Sequence, residues 1–447
     1  MKAKIFFGLA LALALMAGCA GPRVSHQPIF RADKLAAMDA AIESAIASNR
    51  CPGGVLWLEH DGVAYHKAYG YRALVPARET MTEDTVFDMA SLTKVLATTP
   101  AVMLLIERGQ VKLDAPVRTY LPEFNPGGPE AVGEGRELVT VRELLTHTSG
   151  LPPDLELRTD WSGYETAIKK ACAETLQSKP GTVFKYSDIN FILLGEIVQR
   201  VSKLPLPVFV QREIYGPLKM TDTGFLPLGG SDASSLAGGG GTHAASQKSG
   251  HGSVWQPGAT GASPPRCKLS RIAPTEVVDG KPWRGVVHDP TARRMGGVAG
   301  HAGLFSTASD VARYARMMLN LGELDGVRIF KPETVKLMTS VQTPSDMAAK
   351  RGLGWDIDTA YSGPRGELFP IGSYGHTGWT GGSLWIDPFS KTFVIFLSNR
   401  NHPTEAGNVL PLRRKLGTLA AESLANIDFA NARHAVKEQT NSVAPRK

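Results

Sequence analysis

Cysteine is scarce in this chain. Its four cysteines, Cys19, Cys51, Cys172 and Cys267, are spread over 447 residues. That spacing gives neither a disulfide framework nor a zinc motif. One bridge among the last three stays open, but small, partly buried thiols are the simpler expectation. Dense basic runs interleaved with aromatics are also absent, so nucleic acid is not an expected partner. The sequence has no G-x-S-x-G elbow, no H-E-x-x-H pair, no P-loop and no G-x-G-x-x-G turn opening a helix. His147, His288, Asp289 and His301 fit no short metal motif either. The chain therefore implies no cofactor and no metal.

What is present suits a folded, exported protein. Hydrophobic content of 43% with 20% charged residues is ordinary for a globular chain long enough for two or three domains. The first eighteen residues read as a signal peptide: Lys2 and Lys4 precede an apolar run over 5–16 that is too short to span a bilayer. Met16-Ala17-Gly18-Cys19 resembles a bacterial lipoprotein processing site, so Cys19 is the expected lipidation residue and membrane anchor. Ala20 follows it, which by that resemblance favours the outer membrane, facing the periplasm. Removal of Lys2 and Lys4 takes the formal charge from +7 to +5. A basic tail over 431–447 carries part of that excess, compatible with an anionic polymer nearby.

Residues 19–30 read as a tether. A helix is expected over 35–46, where Leu35, Met38, Ile42 and Ile46 recur at helical spacing. Two β-prone runs, 54–60 and 63–70, flank Asp61-Gly62 and predict a hairpin. The pattern is largely helical from 91 to 222, with loops over 123–138 and 149–162. Strands return at 382–386 and 392–398, and a helix over 408–426 closes the chain. This distribution predicts an α+β fold: an antiparallel sheet built from both ends, flanked by helices, with an inserted mainly helical domain. The α/β part would cover 31–80 and 285–430, and the helical part 81–284. Residues 228–265, rich in Gly and Ser, cannot bury enough apolar surface to order themselves and read as a mobile surface insertion.

Serine chemistry is the strongest candidate. In Ser91-Leu92-Thr93-Lys94 the i, i+3 spacing puts an amine on the same helix face as a hydroxyl. A partly desolvated lysine can have a lowered pKa and so act as the base a serine needs. The apolar run that follows, 95–106, predicts a buried helix whose N-terminus favours negative charge at Ser91. Alone this motif decides nothing, since a serine before a helix is more often a cap.

Two further motifs follow in order. Tyr186-Ser187-Asp188 precedes an amphipathic helix, and His376-Thr377-Gly378-Trp379 leads into a strand. Ser-x-x-Lys, Tyr-x-Asp and His-Thr-Gly in this order resemble the active-site motifs of the serine β-lactamase and penicillin-binding-protein superfamily. The Tyr motif is the version of the class C β-lactamases. The stretches 144–152 and 216–223 resemble that family too, and 287–306 is most similar to the penicillin-binding protein 4B branch.

The resemblance implies an acyl-enzyme on Ser91, with Lys94 and Tyr186 sharing the base role. It implies an oxyanion hole from the Ser91 and Trp379 N–H groups, and substrate contacts from Asp188, His376, Thr377 and Gly378. A tyrosine with its ordinary pKa is too weakly ionised for this role, so cations such as Lys94 must stabilise the phenolate. Two residues depart from the β-lactamase pattern. Asp188 replaces an asparagine, and a carboxylate cannot donate to a substrate carbonyl. His376 replaces a lysine, which would make the charge facing a substrate carboxylate pH-dependent. The implied function is D-Ala-D-Ala carboxypeptidase action on peptidoglycan peptides. Esterase or weak β-lactamase activity on small molecules is the alternative, and a non-catalytic envelope binding protein a further one.

Overall fold

The computed structural model describes residues 28–124, 135–226, 228, 268–425, 427 and 429. An eight-stranded antiparallel sheet organises them. Its strands are β1 (Gly53–His60), β2 (Val63–Ala73), β3 (Glu79–Thr80), β4 (Lys350–Arg351), β5 (Asp356–Asp358), β6 (Tyr374–Thr377), β7 (Ser383–Asp387) and β8 (Thr392–Leu397). Across the sheet the order is β4-β5-β6-β7-β8-β1-β2-β3. Asp61 and Gly62 make the β1–β2 turn, both at positive φ, as an Asp-Gly hairpin requires. β1 pairs with β8 from Val55↔Leu397 to His60↔Thr392, which joins the two ends of the chain in one sheet.

Alternation along the central strands feeds two cores. Leu56 and Leu58 of β1 join Trp385, Val394 and Phe396 on one face. Met38 and Ile42 of the helix Ala32–Ala47, with Leu416 and Ala420 of the helix Leu410–Ser423, cover that face. Val55, Leu384, Ile395 and Leu397 point the other way, into a larger core shared with Val311 and Ala315 of the helix Ala308–Leu319. With both faces covered, β7 and β8 are buried along their whole length. Each such aliphatic side chain contributes about 1.5–3 kcal/mol.

The middle of the chain supplies the helices Thr99–Glu107, Val141–Thr146, Tyr164–Ala173 and Asp188–Ser202. A capping box between Thr140 and Glu143 starts the second of these. A small sheet pairs Phe87–Asp88 and Gly224–Phe225 with Leu304–Ser306, tying the helical region to the segment that returns to the large sheet. The α+β architecture is as the sequence predicts. Cys51 and Cys172 are unbridged and fully buried, and burial pushes their thiols up to about 11 and about 12. Cys19 with the signal and tether up to residue 27, Cys267, the 431–447 tail and the 228–265 segment apart from Leu228 lie outside the described residues.

Candidate active site

Ser91 sits on a constrained turn. Ala90 before it has φ +45°, a conformation that a side chain makes unfavourable. Asp88 holds the turn in place: its Oδ1 accepts the Ala90 N–H at 2.8 Å and its Oδ2 the His288 N–H at 2.7 Å. Its backbone carbonyl accepts the Thr380 hydroxyl at 2.7 Å, which links this turn to the segment after Trp379.

The helix expected directly after Ser91 begins differently. A 3₁₀ turn, Ala90–Leu92, and a π turn, Lys94–Thr98, come before the α-helix Thr99–Glu107. Pro100 has no N–H to offer the Leu96 carbonyl, and the buried Tyr215 hydroxyl donates to it instead at 3.0 Å. Ser91 is therefore not the cap of an α-helix, yet the i, i+3 relation survives. Lys94 Nζ donates to Ser91 Oγ at 2.9 Å.

Lys94 is wholly buried, and its ammonium has two other oxygen partners: the His301 carbonyl at 3.1 Å and Asp188 Oδ1 at 2.5 Å. Glycine makes the first possible. A Cβ on Gly300 would meet the Phe191 carbonyl at 2.0 Å, so only glycine lets this segment lie on the helix Asp188–Ser202. Burial alone would lower the Lys94 pKa, but Asp188 and then Tyr186 outweigh it and raise the value above the ordinary one. This corrects the expected lowered pKa: Lys94 is a fixed cation.

Tyr186 is half-buried between Lys94 and His147. Lys94 Nζ lies 5.0 Å from its ring centre, and the ring stacks on His147 with centroids 4.4 Å apart. Burial raises the phenol pKa, and the Lys94 charge reduces that rise without cancelling it. His147 accepts the Ser187 N–H on Nδ1 at 3.1 Å, so it is a neutral ring that fixes the tyrosine. The phenolate support expected from Lys94 is present, but the resting group is the phenol.

His376, on β6, is 4% exposed, and its ring centroid lies 6.0 Å from that of Tyr186. Its Nδ1 donates to the Thr377 carbonyl at 2.8 Å. Burial, then the charges of Arg351 and Lys94, push its pKa well below the usual histidine value. The pH-dependent cation expected here is corrected to a neutral imidazole throughout the physiological range. Arg351 on β4, fully buried and 3.5 Å from Asp356, belongs to no motif and acts on His376 only through the fold.

Thr377 and Gly378 bring the strand end against the nucleophile turn. A Cβ on Gly378 would lie 2.5 Å from the Met89 carbonyl. Buried Arg413 donates to the Gly378 and Gly382 carbonyls at 2.6 and 2.7 Å. In a trans peptide the N–H points opposite the C=O, so this arginine fixes the direction of the Trp379 N–H. Burial pushes Arg413 down to about 9. The Trp379 side chain is 61% exposed, with Arg400 4.7 Å from its ring centre.

Behind Lys94 the fold assembles charges that sequence spacing could not connect. His301 Nε2 lies 2.8 Å from Asp289 Oδ1, and a carboxylate oxygen of Asp188 joins them, the three atoms within 4.8 Å of one another. Glu276, His288 and Glu405 form a second such group. In each, a histidine already pairs with a carboxylate, at 2.8 Å in both cases. Lys94 adds its own cation at the first.

Comparison with known proteins gives a consistent pattern. The Beta-lactamase family model matches residues 38–418. A protein of Escherichia coli (strain K12) named "Putative D-alanyl-D-alanine carboxypeptidase" is 31% identical over 405 residues, 83% of this chain and 84% of that one. Among solved structures, a penicillin-binding protein homolog from Caulobacter crescentus aligns with a TM-score of 0.64 at 20% identity, over 89% of this chain and 99% of that one. EstCE1, a hydrolase with promiscuous acyltransferase activity, aligns with a TM-score of 0.62 at 21% identity, over 86% and 99%. At these identities the two structures speak for the fold alone.

Proposed function

The chain belongs to the β-lactamase family of serine hydrolases, and from that membership we propose that it is a D-Ala-D-Ala carboxypeptidase acting on peptidoglycan peptides through an acyl-enzyme on Ser91. The supporting observation is the convergence of Ser91, Lys94 and Tyr186: Lys94 Nζ donates to the Ser91 hydroxyl at 2.9 Å and lies 5.0 Å from the centre of the Tyr186 ring.

In this reading the Tyr186 phenolate, formed with Lys94 beside it, takes the Ser91 proton as Oγ attacks the carbonyl. The Ser91 and Trp379 N–H groups receive the oxyanion. On collapse the C–N bond breaks, and the Tyr186 hydroxyl protonates the leaving amine. Water then gives its proton to Tyr186, attacks the ester and releases the acid, and the proton returns to Ser91. The E. coli relative named "Putative D-alanyl-D-alanine carboxypeptidase" supports the substrate class. Esterase action is the second reading, favoured by His376: a neutral ring offers no charge to a substrate carboxylate.

D-alanine release from a D-Ala-D-Ala peptide, compared between wild type and Ser91→Ala, tests the assignment. Release by wild type alone is expected. Turnover of a short-chain p-nitrophenyl ester without D-alanine release would move the protein to the second reading. For location, the proposal is an envelope lipoprotein anchored through Cys19, probed by a diacylglyceryl mass on Cys19 and globomycin-sensitive processing. A mature chain beginning after Cys19 would contradict it.

A further inference from the structure

Glu276, His288 and Glu405 come from separate stretches of the chain, and the fold gathers one ligand-type atom from each within 4.8 Å of one another. Glu276 Oε2 stands 2.8 Å from His288 Nδ1, the carboxylate–histidine arrangement that orients an imidazole toward a metal ion. The other ring nitrogen, Nε2, faces Glu405 Oε1 at 3.7 Å. That is too long for a hydrogen bond. It is close to the separation of about 3.4 Å between a nitrogen and an oxygen held by one tetrahedral zinc ion.

Asn401, wholly buried, lies against the same ring. Its Nδ2 is 3.2 Å from His288 Nδ1 and 3.1 Å from Nε2. An atom almost equally far from both nitrogens at this range sits over the ring face, off the in-plane lone pair of Nε2. The buried histidine therefore turns Nε2 toward Glu405 with no donor in line with it among the described residues. Asn401 Oδ1 has no hydrogen-bond partner either, although a buried amide oxygen ordinarily has one. An ion on Nε2 that carries water gives a partner to both atoms.

The carboxylates keep oxygens for such an ion. Glu405 uses Oε2 to accept the Trp379 indole N–H at 3.2 Å, which leaves Oε1 toward Nε2. Two arginines come near. Arg293 lies over Trp283, 4.1 Å from its ring centre, and donates to the Val287 and His288 carbonyls. Arg400 lies over Trp379 and donates to the Trp379 and Gly407 carbonyls. Among the described residues neither guanidinium forms an ion pair with Glu276 or Glu405.

We propose that His288 Nε2 and Glu405, with Glu276 orienting the ring and Asn401 beside it, form a site for a divalent transition-metal ion of the zinc class, completed by water. The ion joins two supports of the reaction centre from outside the proton-transfer group. The His288 N–H donates to Asp88, which holds the Ser91 turn, and Glu405 holds the Trp379 indole. The site is structural and does not depend on which acyl donor the protein takes.

Cobalt(II) is the probe, because it occupies zinc-type sites and absorbs visible light when nitrogen and oxygen ligands hold it. Tag-free protein, stripped with a chelator, is titrated with Co²⁺. One equivalent is expected to produce an absorption change that Zn²⁺ displaces, and Zn²⁺ at about a hundredfold excess over its Kd is expected to raise the melting temperature by about 3 °C. Glu405→Gln changes a half-exposed side chain and so spares the fold; it is expected to weaken Co²⁺ binding by at least about tenfold, and Glu276→Gln by about 10–100-fold. Asp289→Asn, in the carboxylate–histidine group behind Lys94, is expected to leave the titration unchanged. No absorption change and no thermal shift in wild type overturn the proposal. So does a titration that Glu405→Gln leaves unaltered, or one abolished by Asp289→Asn instead. These readouts need no turnover, so failure of the metal site and failure of the carboxypeptidase reading are separate results.

Discussion

Asp188 and Lys94 form an ion pair of 2.5 Å at the base of the cleft, with the lysine fully buried. The pair removes Lys94 as a proton acceptor, because its pKa is raised and it already holds its proton. Among the described residues, Tyr186, beside Lys94, is then the group left to take the Ser91 proton, and it must first lose its own.

The pH dependence of acylation follows from that. With the phenol pKa raised and the lysine cationic, the active form lacks one proton relative to the resting protein. The rate, kcat/KM on an uncharged ester, is expected to rise about tenfold per pH unit from neutral pH to about pH 9. Asp188→Asn removes the charge that holds the proton on Lys94, so this limb moves to lower pH. A plateau already reached at neutral pH in wild type would contradict the assignment.

Much of this was legible in the sequence, because Ser-x-x-Lys carries its own geometry: a three-residue spacing in helical backbone suffices to put Nζ on Oγ. The two-ended sheet was legible too, since Asp61-Gly62 and the strand pattern near residue 390 are local signals. Protonation was not. Burial alone predicts a lowered lysine pKa, and Asp188, 94 residues away in the chain, reverses it. His376 failed for the same reason in the other direction: Arg351 lies 25 residues before it, within no motif, and acts through the fold. The π turn after Ser91 was hidden because Pro100 and Tyr215 produce it together.

His376 leaves a signature in stability. Its folded pKa is depressed, so the stability due to its neutral form is present above the unfolded value near 6.5 and lost as pH falls below it. Asp88, Asp154, Asp310 and Asp387, each pushed up to about 6, act oppositely: their contribution is present at low pH and lost as pH rises through about 6. The comparison is therefore differential. Between pH 7.5 and 5, wild type is expected to lose about 2 kcal/mol relative to His376→Gln in denaturant unfolding. A difference that stays constant with pH would return the charge to His376.

Gly378 is expected to tolerate no side chain. Its Cβ would lie 2.5 Å from the Met89 carbonyl, so Gly378→Ala must push the strand end off the nucleophile turn. A displacement of about 1 Å costs on the order of 100-fold in rate. Ester turnover by Gly378→Ala is expected to fall by about that factor while the melting temperature changes little. Near-normal kcat would mean that the Trp379 N–H does not serve the reaction.

The most direct measurement is of the nucleophile itself. Purified wild type and Ser91→Ala are treated with a fluorophosphonate and read by intact mass, followed by peptide mapping. A single adduct on the peptide containing Ser91, absent from the variant, is the predicted result. An adduct of equal yield in Ser91→Ala, or none in wild type, would contradict an acyl-enzyme on Ser91.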